Sequence, residues 1–321
     1  MTRKQHFNLY ICACTDEGGL YRYTLDGGKL RLIEKYPVKS PMYAIQDKNT
    51  LYVILKGGGR EKNSSLVKYT VNPDGSLTAL PGVWDTEGEV ACHLEVLDGE
   101  VYVVNYVSGN IVKIGDKVSQ HEGTGPNTRR QERAHTHYVG AMPDGNLLVT
   151  DLTLDKIFTY GKSLEIKSEV SVPRGDGPRH LIHSQDGKYV YCACELNSTV
   201  CSFIYRDGEM ELVNTYPLLP EDFDGYSIAA AIRLDSGKLY VSNRGHDTIS
   251  VFDVDGADLS ERRFISVYGK APRDFNIFGD FIVATNQNSS TVTVIDKNTG
   301  ALLDTAEAPE ALCVTEVRWT K

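Results

Sequence analysis

The chain has 321 residues, 41% hydrophobic and 24% charged, and a formal net charge of −9. That charge argues against a nucleic-acid partner or an anionic membrane surface. No apolar run is long enough for a spanning helix, and the start, Met1-Thr2-Arg3-Lys4-Gln5-His6, lacks the apolar stretch of a signal peptide, so a cytoplasmic setting is expected.

One short pattern returns along the whole chain: an apolar residue, often followed by Tyr and Val, then two more residues. It reads Leu9-Tyr10-Ile11-Cys12-Ala13, Leu51-Tyr52-Val53-Ile54-Leu55, Val101-Tyr102-Val103-Val104-Asn105 and Leu147-Leu148-Val149-Thr150-Asp151. It continues as Val190-Tyr191-Cys192-Ala193-Cys194, Leu239-Tyr240-Val241-Ser242-Asn243 and Ile282-Val283-Ala284-Thr285-Asn286. The segments recur every 42 to 50 residues, and self-similarity at such a period marks a repeat architecture. Each is preceded by a short apolar strand and followed by a polar loop and a third strand, as in Lys156-Ile157-Phe158-Thr159-Tyr160 and Thr248-Ile249-Ser250-Val251-Phe252. Asp-Gly pairs at 26–27, 74–75, 144–145, 186–187, 207–208 and 255–256 supply tight turns, because Gly takes positive φ without steric cost. No stretch combines length with helical periodicity.

Short strands repeated seven times predict an all-β fold: a seven-bladed β-propeller of four-stranded blades, forming a single domain over residues 1–321. A sandwich would leave the self-similarity unexplained. The first repeat begins directly at its second strand. Ala308-Pro309-Glu310-Ala311-Leu312 mirrors Ala271-Pro272-Arg273-Asp274-Phe275, which opens the seventh repeat. The C-terminal strand is therefore expected to complete the first blade, residues near 309–318 lying beside residues near 7–14. The least regular connection runs from Lys117 to Arg133, and a loop of that length is usually functional or disordered.

The fifth repeat holds the densest chemistry. Leu181–His183 and Tyr189–Cys194 read as a hairpin around Asp186-Gly187, with Thr199–Tyr205 as the next strand. Arg179 and His180 stand where the hairpin begins and Glu195 where its second strand ends, so antiparallel pairing brings cation and carboxylate together. In a propeller the first strand of each blade lines a shared channel. Repeat four offers His135 and His137 there, repeat six Arg244 and His246, and repeat seven Arg273 and Gln287. Arg244 and Glu195 hold the equivalent position, just past the second strand, in adjacent blades. Arginine recognises carboxylate or phosphate, and histidine and glutamate transfer protons near neutrality. The pattern suits a small anionic substrate and a proton-transfer step. Asp151, Asp247 and Asp274 are read as structural. Seven cysteines cannot all pair within one chain, and Cys12-Ala13-Cys14 and Cys192-Ala193-Cys194 lie in different repeats; they are read as free thiols filling the core. There is no metal-ligand spacing, no Gly-x-Ser-x-Gly and no phosphate loop. No metal or organic cofactor is expected, and nucleophilic Ser or Cys catalysis lacks support.

These residues carry a resemblance that runs from end to end. It rests on Gly19-Leu20-Tyr21-Arg22-Tyr23, Cys92-His93-Leu94, Asn105-Tyr106, His121-Glu122-Gly123-Thr124-Gly125-Pro126-Asn127 and Arg130-Gln131-Glu132 through His135-Thr136-His137. Gly177-Pro178-Arg179-His180, Glu195-Leu196-Asn197-Ser198-Thr199-Val200, Val241-Ser242-Asn243-Arg244-Gly245-His246-Asp247, Pro272-Arg273-Asp274-Phe275 and Asn286-Gln287-Asn288 extend it. The chain resembles the seven-bladed propeller lactonases, a family that includes bacterial propeller-type 6-phosphogluconolactonases and fungal 3-carboxy-cis,cis-muconate lactonising enzymes. The resemblance implies a metal-independent lactone hydrolase acting on 6-phosphogluconolactone in carbohydrate metabolism, within the pentose phosphate pathway. By motif its catalytic groups fall on His137, Arg179, Arg244 and Glu195, with His135, His180, His246, Arg273 and Gln287 as substrate-binding residues. A muconate-type cycloisomerase, or a non-catalytic propeller that binds a small anion or a protein, is the alternative. The chain departs from the family at Ala229-Ala230-Ala231-Ile232, where an acid often stands. The charged groups are expected in a solvent-filled cleft, where replacing them changes folding little.

Overall fold

Seven antiparallel sheets surround one axis in the computed structural model, which describes residues 6–57 and 62–320. The innermost strands of blades one to seven are Ala311–Glu316, Pro41–Asp47, Ala91–Leu97, Thr136–Ala141, Pro178–His183, Ile228–Asp235 and Pro272–Phe278. Each touches the innermost strand of both neighbouring blades, so the ring is closed. The second strands, His6–Ala13, Thr50–Leu55, Glu100–Asn105, Leu147–Asp151, Tyr189–Cys194, Lys238–Arg244 and Phe281–Asn286, contain the seven repeated sequence segments.

Those segments are apolar almost throughout because both faces of each blade are covered by neighbours. Leu9, Ile11 and Ala13 pack toward blade seven, while Tyr10 and Cys12 alternate toward blade two. Seven apolar clusters result, one at each blade interface. The outermost strands face solvent and alternate instead, as Glu209–Pro217 does. The glycines of the six Asp-Gly pairs named above have positive φ, as the turn reading requires.

The ring closes through the C-terminal strand. Leu9 pairs with Glu316, Ile11 with Val314 and Ala13 with Ala311. The mirrored motif is offset by two residues: Pro272 opens its strand, but Pro309 lies two residues before Ala311, so Leu312 rather than Glu310 takes the place of Arg273. The irregular connection is also shorter than the sequence suggests. Lys117–Gln120 pairs with Asn110–Lys113 as the outer strand of blade three. Its polar composition disguised it, since an outer strand needs few apolar side chains. The connector proper therefore begins at His121.

Ala311, Leu312, Cys313 and Val314 are all buried. Deleting residues 310–321 should cost several kcal/mol, at roughly 1.5–3 kcal/mol for each buried aliphatic side chain, and should also open two sheet edges. Thermal unfolding of the truncated chain is expected well below that of the full chain. Seven unpaired cysteines, of which only Cys14 is partly exposed, predict a second result: a thiol reagent should count all seven after denaturation without reductant, and in the native state react first at Cys14.

Candidate active site

Every blade carries the same local irregularity near the start of its innermost strand. In blade four Thr136 pairs with Asp151 and Tyr138 with Thr150, leaving His137 as an extra residue. In blade five Arg179 is skipped, in blade seven Arg273, in blade three Cys92, in blade two Met42 and in blade one Leu312. A β-bulge leaves one residue out of the ladder and re-aims its side chain. Blade six skips two residues, Ala230 and Ala231. Their small side chains add nothing to the channel, and Ala231 packs against Tyr240 and Phe275.

A cavity of about 280 Å³ opens at this end of the axis. Five of the bulge residues, Met42, Cys92, His137, Arg273 and Leu312, lie on its wall. So do the residues at or just beyond the ends of six second strands: Cys14, Lys56, Tyr106, Glu195, Arg244 and Gln287. Two structural positions, repeated around the ring, thus build most of the site. Arg130 joins them from the connector between blades three and four.

Glu195 is the electrostatic centre, and it is buried. Its Oε2 lies 3.0 Å from Arg179 Nε and 2.8 Å from Arg244 Nη2. Its Oε1 accepts a hydrogen bond from Arg130 Nη2. Burial by itself would raise the carboxyl pKa, but the Arg244, Arg179 and Arg130 guanidiniums outweigh it and hold Glu195 well below the usual carboxylate range. One carboxylate faces three guanidiniums, and Arg273 stands nearby without a carboxylate within ion-pair distance among the described residues. Burial, with repulsion from Arg244 and Arg273, pushes Arg179 down to about 9. The cavity is strongly cationic in a chain whose net charge is −9.

His137 is neutral in this setting. Burial and then Arg179 hold its pKa well below the ordinary 6.5, while Glu195 pulls the other way. Its Nδ1 lies 3.9 Å from the Cys92 sulfur. Burial pushes the Cys92 thiol up to about 12, so Cys92 is not an activated nucleophile.

The remaining candidates occupy different places. Arg179 stands behind Glu195 rather than on the cavity wall. His180 lies deeper along the axis, its ring 5.4 Å from that of His137 and 5.2 Å from that of His93. His135 stacks on Tyr106 at 4.2 Å, donates from Nδ1 to the Tyr106 carbonyl at 2.7 Å and has Nε2 3.2 Å from Glu132 Oε1, so it braces the wall from behind. His246 lies off the cavity, with Nδ1 2.6 Å from Thr248 Oγ1 and its ring against Phe223. Asp247 accepts from Gly245 N and Ala271 N, and Asp274 from Arg233 and Val314 N, so both are structural ties. Asp151 accepts from His135 N, Thr153 N and Leu154 N. Arg130, Lys56, Tyr106 and Cys14 were not selected from the sequence. For the last three the signal existed: each ends or follows a second strand, as Glu195 and Arg244 do.

Among the described residues, Asp176, Cys194 and Cys201 are close enough to share an ion. They do not suit one. Asn197 and Thr199 already donate to the two Asp176 oxygens at 2.7 Å each, and the thiols lie in an apolar cluster away from the cavity.

Residues 8–316 match the family described as lactonase, 7-bladed β-propeller. The chain belongs to that family. An uncharacterised protein of Staphylococcus saprophyticus is 31% identical over 333 residues, covering 94% of this chain and 95% of the relative. A solved structure from Lactobacillus plantarum superposes with a TM-score of 0.88 at 29% identity, covering 98% of this chain and all of that one. The periplasmic gluconolactonase of Pseudomonas aeruginosa superposes equally well, with a TM-score of 0.88 at 26% identity and the same coverage. No helix among the described residues of this lactonase-family propeller is long and apolar enough to cross a membrane.

Burial of the charged groups revises the expectation that replacing them changes folding little. Glu195→Gln strands three guanidiniums, and breaking a buried ion cluster costs roughly 3–5 kcal/mol, so a clear drop in melting temperature is expected. The axial histidines set a pH dependence. His93 is pushed down to about 3 by burial, Arg233 and Arg179, and His137 and His180 are also lowered. The unfolded chain then binds more protons than the folded one, so this stability is complete above the ordinary pKa of 6.5 and is lost as pH falls toward 3. Denaturant titrations should show falling stability below pH 6.5, with a shallower fall in His93→Phe.

Proposed function

We propose that this protein hydrolyses an anionic sugar lactone, 6-phosphogluconolactone being the substrate that best fits, to give 6-phosphogluconate. The observation that carries the reading is the His137 imidazole on the wall of a cavity where guanidinium groups outnumber carboxylates. Among the described residues Arg273 has no carboxylate within ion-pair distance, which leaves it for an anion or oxyanion. Membership of the lactonase family and the fold shared with a gluconolactonase support the reaction class.

Water attacks the lactone carbonyl carbon. As the new C–O bond forms, its proton passes to His137 Nε2, the ring nitrogen not facing Cys92. Arg273 and Arg244 line the cavity and stabilise the oxyanion. The tetrahedral intermediate collapses by breaking the bond to the ring oxygen, which takes the proton back from the imidazolium. Glu195 is a poor base, because both of its oxygens are held by guanidiniums, and its charge steadies the imidazolium instead. Arg179 locks Glu195 from behind. A cytoplasmic setting accords with seven unpaired cysteines.

The test is lactone hydrolysis followed by pH-stat, with and without a 6-phosphate, after subtraction of the spontaneous rate. His137→Gln should lower kcat by about 100-fold or more if the imidazole is the base. Arg273→Ala should lower kcat or raise KM, according to whether its contact forms only in the transition state. Turnover no faster than the spontaneous rate for every lactone tried would leave the non-catalytic anion-binding propeller as the better account.

A further inference from the structure

The connector from His121 to His135 reaches the site differently from any blade. It is firmly built. The His121 ring is buried between Asp151 Oδ2 at 2.8 Å and the Tyr160 hydroxyl at 2.7 Å. Gln131 is fully buried. Its Nε2 donates to the Leu152 carbonyl at 2.8 Å and Asp155 Oδ1 at 2.9 Å, and its Oε1 accepts from Asn127 N at 3.0 Å. Gly125 has no room for a side chain, since an added Cβ would meet the Thr153 carbonyl oxygen at 2.4 Å. Such anchoring exceeds what joining two blades requires. Its visible product is Arg130, which precedes Gln131 and reaches Glu195 Oε1.

Arg130 also differs from the other partners of Glu195. The Arg179 and Arg244 side chains come from blade strands and are 2% and 12% exposed, whereas Arg130 is 34% exposed. A ligand entering the cavity can meet Arg130 without unpacking the ring. Tyr106 lines the same cavity as Arg130, on a ring that stacks on His135 and stands nearly perpendicular to that of His137 at 5.5 Å.

We propose that Arg130 is the anion-sensing residue of the site: it releases Glu195 Oε1 to hold the negative group of the incoming substrate, and the carboxylate so freed then supports the charge that forms on His137. The proposal rests on the lactone-hydrolysis reading above. Without substrate, Glu195 is shared among three guanidiniums and lends little charge to its neighbour. His137 is faced by Glu195, Arg179 and Arg273, by the Cys92 thiol, by the His180 ring and by the edge of Tyr106. Of these only Glu195 favours the imidazolium by its charge, so any loosening of its arginine partners makes His137 a stronger base. An uncharged lactone leaves Arg130 in place and meets a weaker one.

Arg130→Ala and Arg130→Lys test this with glucono-δ-lactone as the uncharged substrate and its 6-phosphate as the anionic one. In Arg130→Ala, KM for the phosphorylated lactone should rise about 10- to 100-fold, the loss of one charge-assisted hydrogen bond. Its kcat for the uncharged lactone should rise, and the acid limb of its pH profile should move to higher pH. Arg130→Lys should recover part of the KM. Equal losses on both lactones with an unmoved acid limb would mean that Arg130 only braces the connector, while leaving lactone hydrolysis intact. If the parent cleaves neither lactone, that reaction is wrong, and calorimetry with 6-phosphogluconate and gluconate decides the sensing role by itself. Weaker binding of 6-phosphogluconate alone in Arg130→Ala supports it, and unchanged binding overturns it.

Discussion

A ring of sheets has no interior until it is closed, and here closure depends on six residues at the end of the chain. Ala311–Glu316 pairs with His6–Ala13 and packs beside Pro41–Asp47 and Pro272–Phe278. Two of the seven interface clusters draw on this strand, through Ala311 and Val314 on one side and Cys313 on the other. Closure removes the open edges that an incomplete ring would expose. It also fixes the axis on which the cavity sits, so the site depends on a strand that adds little chemistry of its own.

Around that axis one backbone device is repeated. A bulge just inside each innermost strand turns a side chain out of the ladder, and the same structural position yields Leu312, Met42, Cys92, His137, Arg179 and Arg273 in turn. Function is thus written into a repeat by varying one position while the sheet stays constant. Four blades spend that position on apolar, sulfur-bearing or very small residues: one, two, three and six. Blades four, five and seven spend it on histidine and arginine. The chemistry is therefore concentrated on one side of the ring, where the connector from blade three to blade four also arrives.

The site is a charge problem before it is a catalytic one. Four guanidiniums around one buried carboxylate, with Glu310 the other acid on the cavity wall, are stable only if the cluster is held rigidly and the cavity admits an anion. Arg179 and Glu195 are locked together in the protein interior, while Arg273 and Arg130 face the opening. Burial first, and then the same positive field, hold the His137 pKa well below its ordinary value. A cluster that would be a liability in a core becomes, at a cavity, a means of attracting negative charge and keeping a base ready.

The sequence alone determined the architecture. The period of the Tyr-Val segments, the Asp-Gly turns and the missing first strand together required seven blades and a C-terminal closure, because burial on both faces forces each second strand to be apolar. It also brought Arg179, Glu195 and Arg244 together, since equivalent positions in adjacent blades must be neighbours. Tertiary structure decided what each residue does there. The bulge separates His137 from His135, which two-residue spacing in a regular strand would have aligned. Burial moves Arg179 behind the carboxylate and His180 down the axis, and the turn after the second strand of blade six carries His246 away. Arg130 was beyond reach of periodicity, because it lies in a long connector that belongs to no repeat. Its position follows from buried anchors such as Gln131 and His121, whose partners are fixed only when distant strands have assembled.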